Sequence, residues 1–373
     1  MLAVCAVLGS AQTGQPLPPW TPGTLDIHQI STGRGNSALF ILPDGTTLLV
    51  DAGGAGDGLP QTEPHPDGSR RPGEWIARYV KRHLPANAEG LDYAMITHFH
   101  ADHMGGLADV DAALPIRTLL DRGFPNYQYP APLNDAAYRK LVTRPGIHTE
   151  RFRPGAIQIR PLHEVDDFEI RNIIGNGDLW TGEGERTRQL FPALDTLAPA
   201  DRPSENACSN AIRVRYGAFR YFTGGDLPGY PDPGFPAWNN LEAAIAPVVG
   251  HVDVHVVNQH GSMGEETDAY LQTLASTVIV IPSWGPSHPA PDVLKRIINN
   301  RYPPSPRFVF ATEMREAARI VIGQRAGQLA GPTGHVVVRV EPAGSRYWVY
   351  VLDHRDERDL VVAVRGPFAS RKN

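Results

Sequence analysis

The chain has 373 residues, a formal charge of −5, 41% hydrophobic side chains, 37 glycines and 35 prolines. That hydrophobic fraction can fill a sizeable core, and the glycines and prolines imply many turns and long connections. The acidic excess argues against tight, sequence-blind binding to long nucleic acid, which draws on many Lys and Arg contacts to phosphate. The two cysteines, Cys5 and Cys208, imply no disulfide framework.

Leu2 to Gly9 is a short apolar run followed by Ser10-Ala11-Gln12, the ending of a secretory leader with cleavage after Ala11, although a positively charged start is missing. With a leader the mature protein is secreted or periplasmic; otherwise it is cytoplasmic. No other stretch is long and apolar enough to span a bilayer, so no stable membrane insertion is expected once the leader is removed. Gly14 to Gly23 is proline-rich and reads as a linker. Residues 1–22 are therefore expected to be leader and linker, and 23–365 a single domain.

Leu25–Ile30 alternates and reads as a strand. A tight glycine loop, Gly33-Arg34-Gly35-Asn36-Ser37, follows. Ala38–Leu42 and Thr47–Asp51 form a hairpin around Pro43-Asp44-Gly45. Asp51, at a strand tip before Ala52-Gly53-Gly54, is either an ordinary turn former or a functional carboxylate. Gly73–Leu84 is an amphipathic helix with Trp75, Ile76, Tyr79 and Val80 on one face.

Thr97-His98-Phe99-His100-Ala101-Asp102-His103 then places three imidazoles and a carboxylate within six residues, between the strand Tyr93–Thr97 and a helix over Met104–Leu114. On such a connection side chains converge on one point. Neutral imidazole with carboxylate suits zinc, and iron or manganese as alternatives. Gly105-Gly106 behind the cluster permits close packing.

Ile116–Leu120 is another strand. From about 121 to 204 the chain is rich in Pro, Gly, Arg and Asn, with short strand-like pieces such as Ala156–Pro161. It reads as a loop-rich insertion covering the site. Its aromatics Phe124, Tyr127, Tyr129 and Trp180 are core or lid residues, core first. Asn206–Arg215 and Arg220–Asp226 form a hairpin ending in Thr223-Gly224-Gly225-Asp226. Val252–Ser262 is a strand ending at His260, with His251 and His255 as ordinary sheet residues. Thr277–Ile281 is buried, Ser287-His288-Pro289 precedes a helix over Pro291–Ile298, and His335–Val340 with Tyr347–Leu352 makes a terminal hairpin. Two strand-rich halves with helices predict an α/β sandwich of two sheets.

The pattern Thr-His-x-His-x-Asp-His-x-Gly-Gly at 97–106 resembles the signature of the metallo-β-lactamase-fold hydrolases. The resemblance implies a four-layer αββα sandwich of two mixed sheets flanked by helices. It further implies two metal ions, zinc foremost: His98 and His100 on one, Asp102, His103 and His260 on the other, and Asp226 between. Asp51 matches the outer-shell acceptor of that pattern, which orients ligands and fixes tautomers. Asp102 is implied to be catalytic, and so is His288, as a donor to the substrate or leaving oxygen; the plainer reading of His288 is a helix-entry histidine.

Several features resemble the ComEC/Rec2-like metallo-β-lactamase domain proteins that stand alone. They are the glycine loop, the hairpin 43–53, Asn206-x-x-Ser209, Gln259-His260-Gly261-Ser262 and Ser287-His288-Pro289. Three departures stand out. Arg34-Gly35-Asn36 replaces Gln-Gly-Asp, and Gln259-His260 replaces a histidine pair. No histidine fills the third ligand motif before the bridging Asp; Glu205, Asn206 or Cys208 stands there, with His163 or water as other candidates to complete that site.

The resemblance implies hydrolysis of a phosphodiester, in a small-molecule or polymeric anionic substrate such as nucleic acid or an envelope phosphate polymer. Alternatives are a lactone, ester or amide hydrolase, a mononuclear iron oxidoreductase, and a degenerate, metal-poor binding module. Ser209 and Ser262 read as loop structure.

Overall fold

Side-chain alternation sets the layering. The computed structural model describes residues 12–56, 62–129, 133–230, 236–299 and 303–371, so the expected leader lies outside the described residues. The first sheet starts with β1 (Leu25–Gln29), β2 (Ser37–Ile41), β3 (Thr47–Ala52), β4 (Leu91–Met95), β5 (Ile116–Asp121) and β6 (His148–Arg151). Leu39, Ile41 and Leu49 face one side of it, while Ala38, Phe40, Leu48 and Val50 face the other. That is the period of two expected of a sheet covered on both faces.

The second sheet holds β7 (Phe168–Gly175), β8 (Asp178–Trp180), β9 (Thr187–Gln189), β10 (Ala211–Tyr216), β11 (Phe219–Thr223), β12 (Val254–Val256), β13 (Val278–Ile281) and β14 (Phe308–Ala311). The chain then returns to the first sheet with β15 (His335–Val340), β16 (Arg346–Leu352) and β17 (Val361–Ala369), giving orders β17-β16-β15-β1-β2-β3-β4-β5-β6 and β14-β13-β12-β11-β10-β7-β8-β9. Both sheets are mixed: β3 to β6 and β11 to β14 are parallel, and the other pairings are antiparallel.

Between the sheets lies an apolar layer in which Phe40 of β2 meets Tyr221 of β11 edge to face, at 5.6 Å. Outside the first sheet pack α1 (Pro72–His83), α3 (Leu107–Ala113) and α4 (Ala136–Leu141), just beyond the short α2 (Ala101–Met104). Outside the second pack α5 (Leu241–Val249), α6 (Asp268–Leu274), α7 (Pro291–Ile298) and α8 (Glu316–Ile322). The result is the four-layer αββα sandwich of two mixed sheets that the resemblance implies.

Four expectations are corrected. The helix over 104–114 breaks at Gly105-Gly106, where α1 crosses so closely that a Cβ on Gly73 would lie 2.2 Å from the Gly106 carbonyl. The stretch 121–204 is built into both sheets: β6 extends the first and β7 to β9 the second, while Ala156–Pro161 is not a strand. Phe168 to Arg171 does alternate apolar and charged side chains, a signal hidden by the polar composition around it. The proline-rich start is docked, with Gly14 and Gln15 hydrogen-bonded to Val361 and Leu17 buried. Finally, the terminal hairpin has a third strand, β17. No helix among the described residues is long and apolar enough to cross a membrane.

Candidate metal centre

The cleft opens at the carboxyl ends of β3, β4, β11, β12 and β13, where parallel strands release their loops side by side. Asp51 ends β3 with φ 61°, and its fully buried carboxylate accepts from Thr97 N at 2.8 Å, Thr97 Oγ1 at 2.9 Å, Asn36 Nδ2 at 2.9 Å and His103 Nδ1 at 2.8 Å. Asn36, in the glycine loop, thus braces Asp51. Gly35, at φ 137°, lies so near the Asp102 carbonyl that a Cβ would come within 2.3 Å of it.

Asp226 sits behind Gly225, whose φ of 60° turns the chain sharply past Thr97. His260 follows Gln259, both in the left-handed region (φ 56° and 46°). Such backbone costs about 1–2 kcal/mol per residue, and strain of this kind gathers at functional sites.

Tautomers decide what these side chains can bind. His103 gives its Nδ1 proton to Asp51, and His260 Nδ1 lies 3.0 Å from the Pro282 carbonyl, which can only accept. Each neutral ring therefore turns an Nε2 lone pair inward, and the two nitrogens stand 3.2 Å apart. Asp102 Oδ2 is 3.0 Å from His260 Nε2, and Asp226 Oδ1 is 3.1 Å from His103 Nε2. With both rings neutral, four acceptors converge with no proton to share, a donor set that fits a cation.

Beside it, His98 Nδ1 lies against Thr97 Oγ1 and Ser209 Oγ at 3.2 and 3.3 Å, so its Nε2 faces His100 Nδ1 at 3.1 Å and Asp226 Oδ2 at 3.8 Å. The groups that could hold an ion are thus Asp102, His103, Asp226 and His260, and His98, His100 and Asp226. Asp226 belongs to both.

The electrostatics match that crowding. Burial, then neighbouring His103, holds His98 well below the usual imidazole range. Burial also pushes His103 and His260 down, but the surrounding carboxylates, Asp226 foremost, outweigh it and raise both. Asp226, although buried, is held well below the usual carboxylate range by His103 and His260. Asp102 is likewise lowered against its burial, by the same two rings.

The two sets face a cavity of about 530 Å³ whose far wall carries Trp284 and His288. His288 stacks on His260 at 5.1 Å, and Trp284 meets both edge to face. The Gly285 N–H donates to His288 Nδ1 at 3.2 Å, so the neutral ring carries its proton on Nε2. Burial, then His260, pushes His288 down to about 3, which keeps it neutral.

All six expected ligands and Asp51 are therefore brought to one cluster, with His288 in the cavity wall. Of the candidates for the third motif, His163 is excluded: it is exposed on a different cavity, with Trp20 and Asp44. Glu205 is engaged by Arg122 and by Phe99 N. Cys208 is buried, and burial pushes its thiol up to about 12. Ser209 does more than shape a loop, because its hydroxyl touches His98 and accepts from Asp226 N. Tyr127 and Trp180 are core, with Phe124 and Tyr129 packed against it. His255 is structural, bonded to Ser276 and Glu266.

Fold and cluster together define an αββα sandwich with paired metal-binding groups at its strand ends. Residues 31–191 match the model of the Metallo-beta-lactamase superfamily, a segment that includes the glycine loop, Asp51 and the 98–103 cluster. No curated protein matches the chain. Among solved structures it is similar to CmlA, a diiron beta-hydroxylase from Streptomyces venezuelae, at 15% identity over 79% of this chain and 54% of that one, with a TM-score of 0.44. The chain thus spans about half the length of that protein. It is also similar to Igni18, a metallo hydrolase from the hyperthermophilic archaeon Ignicoccus hospitalis, at 13% identity over 79% and 97% of the two chains, TM-score 0.42. Unliganded yeast PDE1 matches at 13% identity over 84% and 99%, TM-score 0.38.

Proposed function

We propose that the chain is a metal-dependent hydrolase holding two zinc ions, acting on a compact phosphodiester. The observation that carries this reading is the pair of converging donor sets joined through Asp226 at the floor of the cavity. Two divalent cations held there would polarise the scissile centre and bring a water's pKa toward neutrality.

The chain's own groups supply the rest. Asp102 is the more exposed of the two cleft carboxylates, and with Oδ2 against His260 its Oδ1 can accept a proton from the attacking water. His288 offers a neutral Nε2–H to the leaving oxygen. Trp284 stands in the same wall, and its indole N–H finds no acceptor among the described residues. Both donors are uncharged.

No Lys or Arg lines the cavity among the described residues, and its only carboxylates are Asp102 and Asp226. A nucleic-acid strand, with a charge on every residue, would meet no basic track here. A small diester with one negative charge needs none. The same uncharged wall supports a second reading, a neutral lactone or ester.

The test is turnover by the metal-loaded full chain of bis-p-nitrophenyl phosphate, single-stranded DNA, a lactone and nitrocefin, with and without chelator. Diester hydrolysis that chelator abolishes and zinc restores is expected. A chain carrying two zinc ions that leaves the diester intact sinks the phosphodiester reading, and lactone turnover in its place selects the second.

A further inference from the structure

The two donor sets are unequal: one has four groups, the other only His98, His100 and the shared Asp226. We propose that the side-chain oxygen of Asn206 completes the smaller set, so that the first cation is held by two imidazoles, one carboxylate and one carboxamide. The inference rests on the two-cation reading of the cleft and not on any substrate.

Asn206 opens a 3-10 turn, Asn206–Cys208, that is tied to the ligand loops on both sides. Ahead of it, Glu205 accepts from Phe99 N at 2.8 Å, the backbone link between His98 and His100. Behind it, Ser209 Oγ lies 3.3 Å from His98 Nδ1 and accepts from Asp226 N at 3.2 Å. The turn is thus held between the residues of the smaller set, and Asn206 lines the cavity alongside His100 and Asp226.

Asn206 Oδ1 is buried and has no hydrogen-bond partner. Leaving a buried carboxamide oxygen unsatisfied costs about 1–3 kcal/mol. A hydrogen-bond donor would ordinarily relieve that cost, but the nearby cleft carboxylates and ligand nitrogens are acceptors. A cation satisfies all of them at once, and amide oxygen is an accepted ligand for hard and borderline ions. The neighbouring candidates are committed elsewhere, Glu205 to Arg122 and Cys208 to the core.

A neutral oxygen binds a borderline ion less firmly than imidazole does, and the smaller set has one carboxylate where the larger has two. The two cations therefore differ in affinity, the first being the weaker.

The test uses the full-length chain, stripped of metal and titrated with Co²⁺ and Zn²⁺ against a chromophoric chelator, with the Co²⁺ visible spectrum recorded. Wild type is expected to bind one ion tightly and one weakly. Asn206→Ala should weaken the second ion at least as much as losing an outer-shell partner does, about 10- to 100-fold, with the tight ion unchanged. Asn206→Asp and Asn206→His, which keep a ligand atom, should tighten the weak ion and shift its Co²⁺ bands. If all three variants leave both affinities and the spectrum as in wild type, the assignment is overturned. If wild type binds no second ion, this inference and the dinuclear reading fall together. Loss of diester turnover alone, with two ions bound, touches only the substrate proposal.

Discussion

Two of the buried groups of histidines and acids among the described residues are built for opposite ends. One is the cleft. The other lies under α1 against the first sheet, where His28, His65, His83, His335 and His354 gather around Tyr79, Glu313 and Asp359. His65, Glu313 and His354 even lie close enough to count as a group that could hold an ion. Ring geometry says otherwise. His65 and His354 stack at 3.8 Å with planes 18° apart, so their in-plane lone pairs run side by side and never meet. In the cleft, His98 and His100 are tilted 76°, and His103 and His260 41°, so their nitrogens point at one another.

Partners differ in the same way. His65 Nε2 is paired with Glu313 Oε2 at 2.5 Å, and Ser31 N–H donates to His335 Nδ1 at 3.0 Å. Ser31 Oγ donates to the Thr312 carbonyl and so accepts from His354 Nδ1 at 2.8 Å. Each contact has a proton to share, and no cation is called for. Residue type and burial are alike in the two groups; what separates a ligand set from an ion-paired core is the direction of its lone pairs.

Removing one group from each side should give opposite outcomes. Asp226→Ala takes a ligand from both sets in the cleft, so metal content should fall below one ion per chain. Turnover should drop by a thousandfold or more, on the order of 4 kcal/mol of transition-state stabilisation. Glu313→Gln should leave metal content unchanged but destabilise the fold, because breaking a buried ion pair costs about 3–5 kcal/mol. Metal analysis and denaturant unfolding read the two effects separately. An ion lost on Glu313→Gln would make the second group a metal site after all.

Acid sharpens the contrast further. His354 is packed against His65, His335, Glu313, Asp353 and Arg355. Burial, then His65, pushes its pKa from the ordinary 6.5 down to about 4. The folded state therefore binds its proton less readily than the unfolded chain does. The stability this ring contributes is complete above pH 6.5 and is lost as pH falls toward 4, on the order of 3 kcal/mol for this group. Glu313, itself lowered by His65 although burial raises it, acts in the same direction at lower pH. Unfolding free energies measured between pH 7.5 and 4 should fall for wild type and fall less for His354→Gln. Parallel curves would show that the ring is not held neutral.

Much of the cleft was legible in the sequence because its ligands sit at strand ends next to glycines. The spacing 98–103 fixes four of them, and Gly224-Gly225-Asp226 and Gln259-His260-Gly261 mark the tips of β11 and β12. The fold was legible where alternation is clean, as in β2 and β3. It was obscured where charged residues fill the outward positions, as in β7, and where glycine and proline interrupt the run, as Gly366-Pro367 do in β17. The second histidine group was not legible at all. His65, Glu313 and His354 lie in three loops spread over 290 positions, and only the packing of the loop before α1 onto those after β14 and β16 joins them. Asn206 was one of three candidates in its motif. The orphaned oxygen that singles it out is a property of packing, invisible in the order of residues.

The mildest test concerns Asp51, the carboxylate that converts His103 from a possible ion-pair partner into a ligand. Its Oδ2 takes the His103 Nδ1 proton while its other contacts, from Thr97 and Asn36, hold it rigidly in place. In Asp51→Asn the amide can present either its oxygen or its NH₂ to that ring. With the NH₂ turned toward it, His103 must accept at Nδ1, and a neutral ring then carries its proton on Nε2, where the cation should bind. Such a change in an outer partner typically costs about 10- to 100-fold in metal affinity, about 1.4–2.7 kcal/mol. The expected result is a weakened tight ion in competition titrations, with the 98–100 set little affected and the fold intact by circular dichroism. Unchanged affinity for the tight ion would mean that the His103 tautomer is not set by Asp51, and that direction alone, without this proton, is enough to make a buried histidine a ligand.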